Sequence, residues 1–234
     1  MPGSVPEAMR RHDLVYLHAG AAFTTPCAEE GGLLWQAARD WIDQGRPLVA
    51  ARQSGDEAFV LLGLSLPLKY ARKRLTIHVE PSAISEVRPP LGITQCLTDQ
   101  PASVADVLLA LDEQIRLSGA RLGVFGSLAW EALSGEAYRH ADSDFDVISD
   151  VSDAVQLETA LASLAQARMS LACRLDGELR FPDGNAVAWL ELSEASRTAG
   201  KKVLVKGEKA IELMPVEQLL ASLNPHSKSV VSQL

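Results

Sequence analysis

Cysteine is scarce in this sequence, and its spacing forms no recognisable pattern. The 234 residues contain three cysteines, Cys27, Cys96 and Cys173, which are widely spaced, odd in number and free of any Cys-x-x-Cys motif. This arrangement argues against a disulfide framework or a cysteine-based zinc site. We expect all three to be buried apolar side chains in a reducing compartment, which predicts a cytoplasmic protein.

Long apolar runs and an excess of positive charge are also lacking. No apolar segment approaches the ~18 residues that a membrane span requires, and the first four residues, Met-Pro-Gly-Ser, do not resemble a signal peptide. The formal net charge is −8, and residues 96–234 carry all of it, because residues 1–95 hold ten basic and ten acidic side chains. The sequence therefore predicts no membrane and no nucleic-acid partner.

Pro89-Pro90 can continue neither a helix nor a central strand, so we place a domain boundary near residue 95. The patterns before it predict a smaller α/β domain over residues 1–95 that could dock a substrate or a carrier protein. It has a helix that starts at Leu33, ends near Gly45 and buries Ala37 and Trp41. Short strands are predicted near residues 14–17, 47–51, 59–63 and 75–79, with a turn at 54–56.

Residues 96–234 alternate between helical and strand patterns, which predicts an α+β domain with a mixed sheet. A helix is expected after the N-cap candidate Ser103, and a second helix buries residues between Val155 and Met169. A final helix starts at Pro215. Strands are predicted at 122–125, 145–148, 173–181, 186–192, 202–205 and 210–213.

Asp144-Phe145-Asp146 is the motif with the clearest chemistry. Residues i and i+2 of a strand point to the same face, so both carboxylates project together while Phe145 packs on the other side. Two close carboxylates repel each other unless a cation lies between them. Hard oxygen ligands favour Mg²⁺ or Mn²⁺, which would make Asp144 and Asp146 metal ligands and catalytic residues. A solvated acidic loop is the alternative.

Gly126-Ser127 follows the strand before this motif. A glycine lets the backbone approach a phosphate closely, and the next N–H groups and the Ser127 hydroxyl can bind phosphate oxygens at a helix start. Read alone, the pair is also compatible with an ordinary turn between a strand and a helix.

Together, Val124-Phe-Gly-Ser127 and Ser143-Asp-Phe-Asp-Val147 resemble the signature of the nucleotidyltransferase superfamily. Sixteen residues separate Ser127 from Asp144, which is more than is usual in that superfamily. We therefore expect the intervening segment to hold a helix and an extra loop.

Longer segments are similar to a narrower family, the holo-acyl-carrier-protein synthases of malonate decarboxylase, also called phosphoribosyl-dephospho-coenzyme A transferases. The similarity covers most of the chain and keeps the order of the segments. They are Arg11-His-Asp-Leu14, Gly45-Arg-Pro-Leu-Val49, Gly126 to Tyr138, Ser143 to Ile148, Leu175-Asp-Gly-Glu-Leu179, Ala186 to Glu191 and Val203-Leu-Val-Lys206.

The resemblance implies a third acidic residue from a later strand. Glu191 is our choice, because it interrupts an apolar run in which an unpaired charge would be costly. An exposed face of an edge strand explains Glu191 almost as well. Asp176 and Glu178, again two residues apart, are the competitors.

Basic residues could meet a polyphosphate. Arg72 and Arg74 lie in a basic run of the first domain, and Lys201, Lys202 and Lys206 lie on or before a late strand. Each group is a candidate for substrate binding, although both clusters are also compatible with a solvated surface.

The resemblance implies transfer of a prosthetic group. The donor would be 2'-(5''-triphosphoribosyl)-3'-dephospho-coenzyme A, and the acceptor a serine of the apo acyl carrier subunit of malonate decarboxylase, with release of pyrophosphate. A nucleotidyltransferase that moves a nucleoside monophosphate from a nucleoside triphosphate is the main alternative. A noncatalytic binding module of the same fold is the second.

Overall fold

A computed structural model describes residues 9–53, 58–98, 100–140, 143–198 and 200–223. The turn predicted at 54–56, most of the polar lead-in and the tail from Asn224 lie outside the described residues. Within the described residues, none of the helices has the length and apolar character needed to cross a bilayer.

The first half of the chain forms a five-stranded antiparallel sheet with one helix on it. The strand order is β4-β3-β2-β1-β5. Helix α1 (Leu33–Asp43) buries Ala37, Ala38, Trp41 and Ile42 against the sheet. The strands are β1 (Leu14–Leu17), β2 (Leu48–Ala50), β3 (Val60–Ser65), β4 (Arg74–Val79) and β5 (Ile84–Arg88).

Strands β3 and β4 show why this sheet forms. Their side chains alternate between buried and less buried positions, so that Val60, Leu62 and Leu64 face the core together with Leu75 and Ile77. A period of two is what a half-buried strand requires. The four predicted strands and the helix are confirmed here, whereas β5 was missed because only three of its five residues are apolar or small.

The second half forms a six-stranded sheet in the order β11-β10-β9-β8-β7-β6. Helices α2 (Ala102–Leu117) and α4 (Ala154–Ser170) pack against each other. The other helices are α3 (Gly126–Ser134), α5 (Trp189–Ala195) and α6 (Val216–Leu220). The strands are β6 (Arg121–Phe125), β7 (Phe145–Asp150), β8 (Leu175–Arg180), β9 (Ala186–Ala188), β10 (Lys202–Lys206) and β11 (Ile211–Pro215). The α+β class with two sheets is confirmed.

The chain divides into two compact units, and this division differs from the predicted boundary near residue 95. Unit 1 comprises residues 1–99, 123–146 and 207–210, and unit 2 comprises residues 100–122, 147–206 and 211–234. The physical reason lies in two aromatic residues. Trp130 of α3 and Tyr138 after it are buried in the same core as Trp41 and Leu64 of the first sheet. The segment that holds the Gly-Ser and Asp-x-Asp motifs therefore packs with the first domain.

Three local predictions are wrong. Helix α2 begins after Pro101, whose backbone occupies the N-cap, and not at Ser103. The strand predicted at 186–192 ends at Ala188, where helix α5 begins. Cysteine burial holds only for Cys96, where burial raises the thiol pKa to about 12. Cys27 is exposed and Cys173 is half-buried.

Candidate functional site

Unit 1 contains a cavity of about 700 Å³ in which the two sequence motifs meet. Gly126, Ser127, Asp144 and Asp146 all line it. Residues of the first sheet and of its loops complete the lining, among them Arg74 of β4 and Arg72 of the loop before it. The volume lies in the range of sites that hold cofactor-sized ligands.

Gly126 and Asp146 are in direct contact at this cavity. Gly126 has a φ of +70°, which L side chains rarely adopt. A Cβ added there would overlap the Asp146 carboxylate and lie 2.8 Å from its Cγ and 3.0 Å from its Cβ. The Asp146 carboxylate can therefore lie beside the strand-to-helix turn only because residue 126 has no side chain.

Helix α3 starts directly at Gly126, so its first N–H groups belong to the Gly-Ser motif. No acidic residue lies in its first turn, and its N-cap residue, Phe125, forms no side-chain cap. The helix dipole and the first N–H groups favour an anion at such a terminus. With Ser127 on the cavity wall, the arrangement is compatible with the phosphate cradle predicted from sequence.

Asp144 and Asp146 are both half-buried, whereas Phe145 and Val147 between and after them are buried. This alternation is the one expected for the start of β7. Two carboxylates that share a cavity match the ligands that Mg²⁺ prefers, because that ion keeps waters and substrate phosphates as further ligands. Within the described part of the chain, no three His, Cys, Asp or Glu side chains converge into a metal site by themselves.

Strained backbone concentrates at this cavity. Among the described residues, three that are not glycine have positive φ, namely His12 (72°), Ala71 (53°) and Arg72 (52°). His12 and Arg72 line the cavity, and Ala71 precedes Arg72. Such conformations cost about 1–3 kcal/mol each and persist where the surrounding structure imposes them, often at functional sites.

A short turn explains the position of His12. The Asp13 carboxylate accepts a hydrogen bond from the Arg10 N–H at 2.9 Å, and the His12 N–H donates to the Ala50 carbonyl at 3.1 Å. The imidazole lies 4.1 Å from the Phe125 ring, centre to centre. The segment Arg11-His12-Asp13 therefore reaches the residue that precedes Gly126.

Glu131 holds the loop that follows α3. Its Oε1 accepts the backbone N–H groups of Tyr138 and Arg139 at 2.9 and 2.8 Å, and its Oε2 lies 2.6 Å from Nε of Arg139. Burial acts to raise the pKa of the Glu131 carboxyl, but the two N–H groups and the guanidinium outweigh it and hold the pKa below 4.5. This loop leads to Asp144, which confirms that the segment from Leu128 to Ser143 contains a helix and an extra loop.

The remaining predicted residues lie in unit 2. Glu191 is in the first turn of α5 and not in a strand, and its Oε1 accepts the Leu204 N–H at 2.7 Å. The Glu191 carboxylate therefore has partners at the start of α5 and on β10. It was chosen because an unpaired charge within an apolar strand would be costly, and that reason no longer applies. Its role in the site stays a prediction.

The two competitors of Glu191 lie on β8. Asp176 is half-buried and 2.6 Å from Nη2 of Arg174. Glu178 is 5% exposed and 2.7 Å from Nζ of Lys206. Lys201 and Lys202 are exposed. Glu178 is thus a buried carboxylate within a strand, which is the environment expected from the sequence for the third acidic residue.

Sequence comparison places the chain among known proteins. A model described as the Phosphoribosyl-dephospho-CoA transferase MdcG N-terminal domain matches residues 10–90, and the corresponding MdcG C-terminal domain matches residues 91–217. The chain belongs to the phosphoribosyl-dephospho-CoA transferase family. This confirms the family expected from the segments that begin at Arg11 and end at Lys206.

Curated members of the phosphoribosyl-dephospho-CoA transferase family align over most of the chain. One from Xanthomonas euvesicatoria pv. vesicatoria is 34% identical over 88% of this chain and 93% of its own length. One from Bradyrhizobium diazoefficiens is 29% identical over 90% and 92%. One from Pseudomonas aeruginosa is 30% identical over 71% and 76%. No solved structure matches the chain.

Several residues of the cavity were not predicted as site residues from the sequence. Arg11 and His12 line it, as do Tyr138, His140 and Ser143. The motif Arg11-His-Asp-Leu14 contributes to the family resemblance, and lone histidines such as His12 and His140 are more often structural partners than bases. Only the structure shows that this motif belongs to the cavity, since the positive φ of His12 cannot be predicted from the residue type.

Proposed function

We propose that this protein transfers the phosphoribosyl-dephospho-CoA group from 2'-(5''-triphosphoribosyl)-3'-dephospho-CoA to a serine of the apo acyl carrier subunit of malonate decarboxylase. The observation that carries the proposal is the packing of Gly126 against Asp146 at a ligand-sized cavity. Family membership supports the choice of donor, because its relatives are named phosphoribosyl-dephospho-CoA transferases. The scarcity and wide spacing of cysteine support a cytoplasmic setting for the reaction.

The reaction forms one phosphodiester bond and breaks one phosphoanhydride bond. The serine oxygen attacks the phosphorus next to the ribose, and pyrophosphate leaves with the electrons of the broken bond. The serine proton passes to Asp144 or Asp146, which act as the general base. Positioning supplies much of the rate, since the acceptor belongs to a second protein.

Asp144 and Asp146 are the residues that would hold Mg²⁺ or Mn²⁺ in this proposal. Such an ion, when bound, would neutralise the negative charge that develops on the departing phosphates. Gly126 and Ser127 bind the phosphate oxygens through the start of α3. Glu191, Asp176 and Glu178 all stay candidates for the third acidic residue, and Glu178 is the most buried of the three.

Lys201, Lys202 and Lys206 stay candidates for substrate binding. Lys206 already forms an ion pair with Glu178 at 2.7 Å. Replacement of Lys206 would therefore also leave the Glu178 carboxylate without this partner. Lys201 and Lys202 are exposed, and their replacement tests whether a second cationic surface contributes to donor binding.

The donor separates this proposal from the general nucleotidyltransferase alternative. Purified protein is incubated with the apo carrier subunit, Mg²⁺ and either triphosphoribosyl-dephospho-CoA or ATP, and the intact mass of the carrier is measured. We expect a mass gain of one phosphoribosyl-dephospho-CoA group with the first donor and none with ATP. A carrier that gains adenylate, or a protein that modifies no acceptor with either donor, would contradict the proposal.

A further inference from the structure

Two arginines of the first domain line the cavity without a carboxylate partner. Arg72 lies in the loop between β3 and β4, and Arg74 is the first residue of β4. In the part of the chain that the structure describes, neither guanidinium takes part in an ion pair or a hydrogen bond. Guanidinium groups that face a cavity with no anion of their own are suited to an anionic ligand.

The neighbouring cations of the same basic run have other roles. Lys69 Nζ lies 2.5 Å from Oε2 of Glu136, whose other oxygen is 3.7 Å from Nη1 of Arg46. Lys73 is exposed and is not part of the cavity lining. Arg72, Lys73 and Arg74 are all exposed, but only Arg72 and Arg74 line the cavity, and Lys69 is paired with Glu136.

The backbone of this loop determines where Arg72 lies. Ala71 and Arg72 have consecutive positive φ angles of 53° and 52°. The loop is closed by the Arg72 N–H, 3.3 Å from the Pro67 carbonyl, and by the Leu66 N–H, 2.9 Å from the Lys73 carbonyl. Two successive residues with side chains adopt this conformation only when the surrounding structure holds them there, as happens at ligand sites.

We propose that Arg72 and Arg74 form a subsite for a phosphate chain in the cavity that also contains Asp144 and Asp146. The guanidinium fork matches two phosphate oxygens at once. It also offsets the repulsion that the two carboxylates exert on a polyphosphate. The identification of that chain as part of the donor rests on the proposed function, whereas the phosphate chemistry follows from the two arginines.

The carrier protein is the other ligand that basic residues of this domain could bind. A cavity of about 700 Å³ admits a cofactor-sized molecule, but it does not admit a folded carrier domain. We therefore expect residues that line the cavity to bind the donor, whereas only the acceptor serine of the carrier enters it. Replacement of Arg72 and Arg74 should change the apparent affinity for the donor and leave that for the carrier unchanged.

Binding of inorganic tripolyphosphate to the full-length protein tests the subsite directly. By calorimetry, Arg72→Ala and Arg74→Ala should each weaken binding about tenfold, and Arg72→Lys should fall between wild type and Arg72→Ala because it keeps the charge but not the fork. Lys73→Ala is the matched control and should bind like wild type. Equal binding by wild type and the Arg72→Ala, Arg74→Ala double variant would overturn the proposal.

Kinetics then identify which phosphates occupy the subsite. Weaker product inhibition by pyrophosphate in the double variant assigns it to the leaving end of the donor, and weaker inhibition by dephospho-CoA assigns it to the retained diphosphate. A raised Michaelis constant for the carrier, with that for the donor unchanged, overturns the proposal. If wild-type protein transfers nothing from triphosphoribosyl-dephospho-CoA but tripolyphosphate binding still requires both arginines, the proposed function fails and the subsite stands.

Discussion

The carboxylate of Asp146 occupies the space that a side chain at residue 126 would need. Gly126 thereby connects the end of β6, the start of α3 and the acidic motif of β7 in a single contact. Because this contact requires both a positive φ and the absence of a Cβ, it explains in physical terms why a glycine stands at the junction of the two motifs.

Gly126→Ala should reduce transfer about 100-fold or more, since a displacement of about 1 Å at a reacting group costs that much. The expected loss of stability is roughly 1–2 kcal/mol from the left-handed backbone. Gly135→Ala is the matched control, because Gly135 has a φ of 71° but open space around it. Steady-state turnover and urea unfolding of both variants test the contact. A fully active Gly126→Ala protein would show that the carboxylate position does not matter.

Asp144→Asn and Asp146→Asn should each lower transfer by about 100-fold or more while the protein stays folded, because each removes charge stabilisation worth several kcal/mol. The activity that remains should depend less steeply on Mg²⁺ concentration. Asp106→Asn, at an exposed position of α2, controls for the loss of one negative charge. Near-normal, Mg²⁺-dependent turnover of either motif variant would remove the metal interpretation.

The motifs of the site could be predicted from sequence, because a strand fixes the relative direction of residues two apart. Asp144 and Asp146 share the cavity, and Phe145 is buried. Arg72 and Arg74 could be named as candidates from their charge, but their sharing of a cavity with the two motifs could not be predicted, since it depends on Trp130 and Tyr138 packing with Trp41 at long sequence separation. Glu191 failed as a strand residue because Trp189-Leu-Glu-Leu fits the apolar pattern of a short helix as well as that of a strand.

The three later carboxylates can be separated by conservative variants. We expect Glu178→Gln to lower turnover most, because Glu178 is the most buried of the three. Each of the three already has a partner, which is Lys206 for Glu178, Arg174 for Asp176 and the Leu204 N–H for Glu191. Turnover is compared with the unfolding free energy of each variant, since Glu178→Gln also leaves Lys206 without its ion pair. A loss of turnover confined to Glu191→Gln would restore the original choice.

The free energy of unfolding should decrease at acid pH, partly because Glu131 becomes protonated. Its carboxyl pKa is lower in the folded protein than its ordinary value of 4.5. Its contribution is therefore complete above about pH 4.5 and is lost as the pH falls through the lower, folded-state pKa. Glu131→Gln should lower stability at neutral pH and weaken the dependence of stability on pH between neutral pH and the acid side of pH 4.5. Urea midpoints at both ends of this range measure the difference, and parallel pH profiles of variant and wild type would argue against this role.

In the proposed reaction, one acceptor serine is modified for each pyrophosphate released from triphosphoribosyl-dephospho-CoA. The direct measurement is a time course of pyrophosphate release and of carrier mass in the same reaction. We expect equal amounts of pyrophosphate and modified carrier at every time, and we expect a chelator or mutation of the acceptor serine to abolish both. Pyrophosphate release without carrier modification, or carrier modification without pyrophosphate, would contradict it.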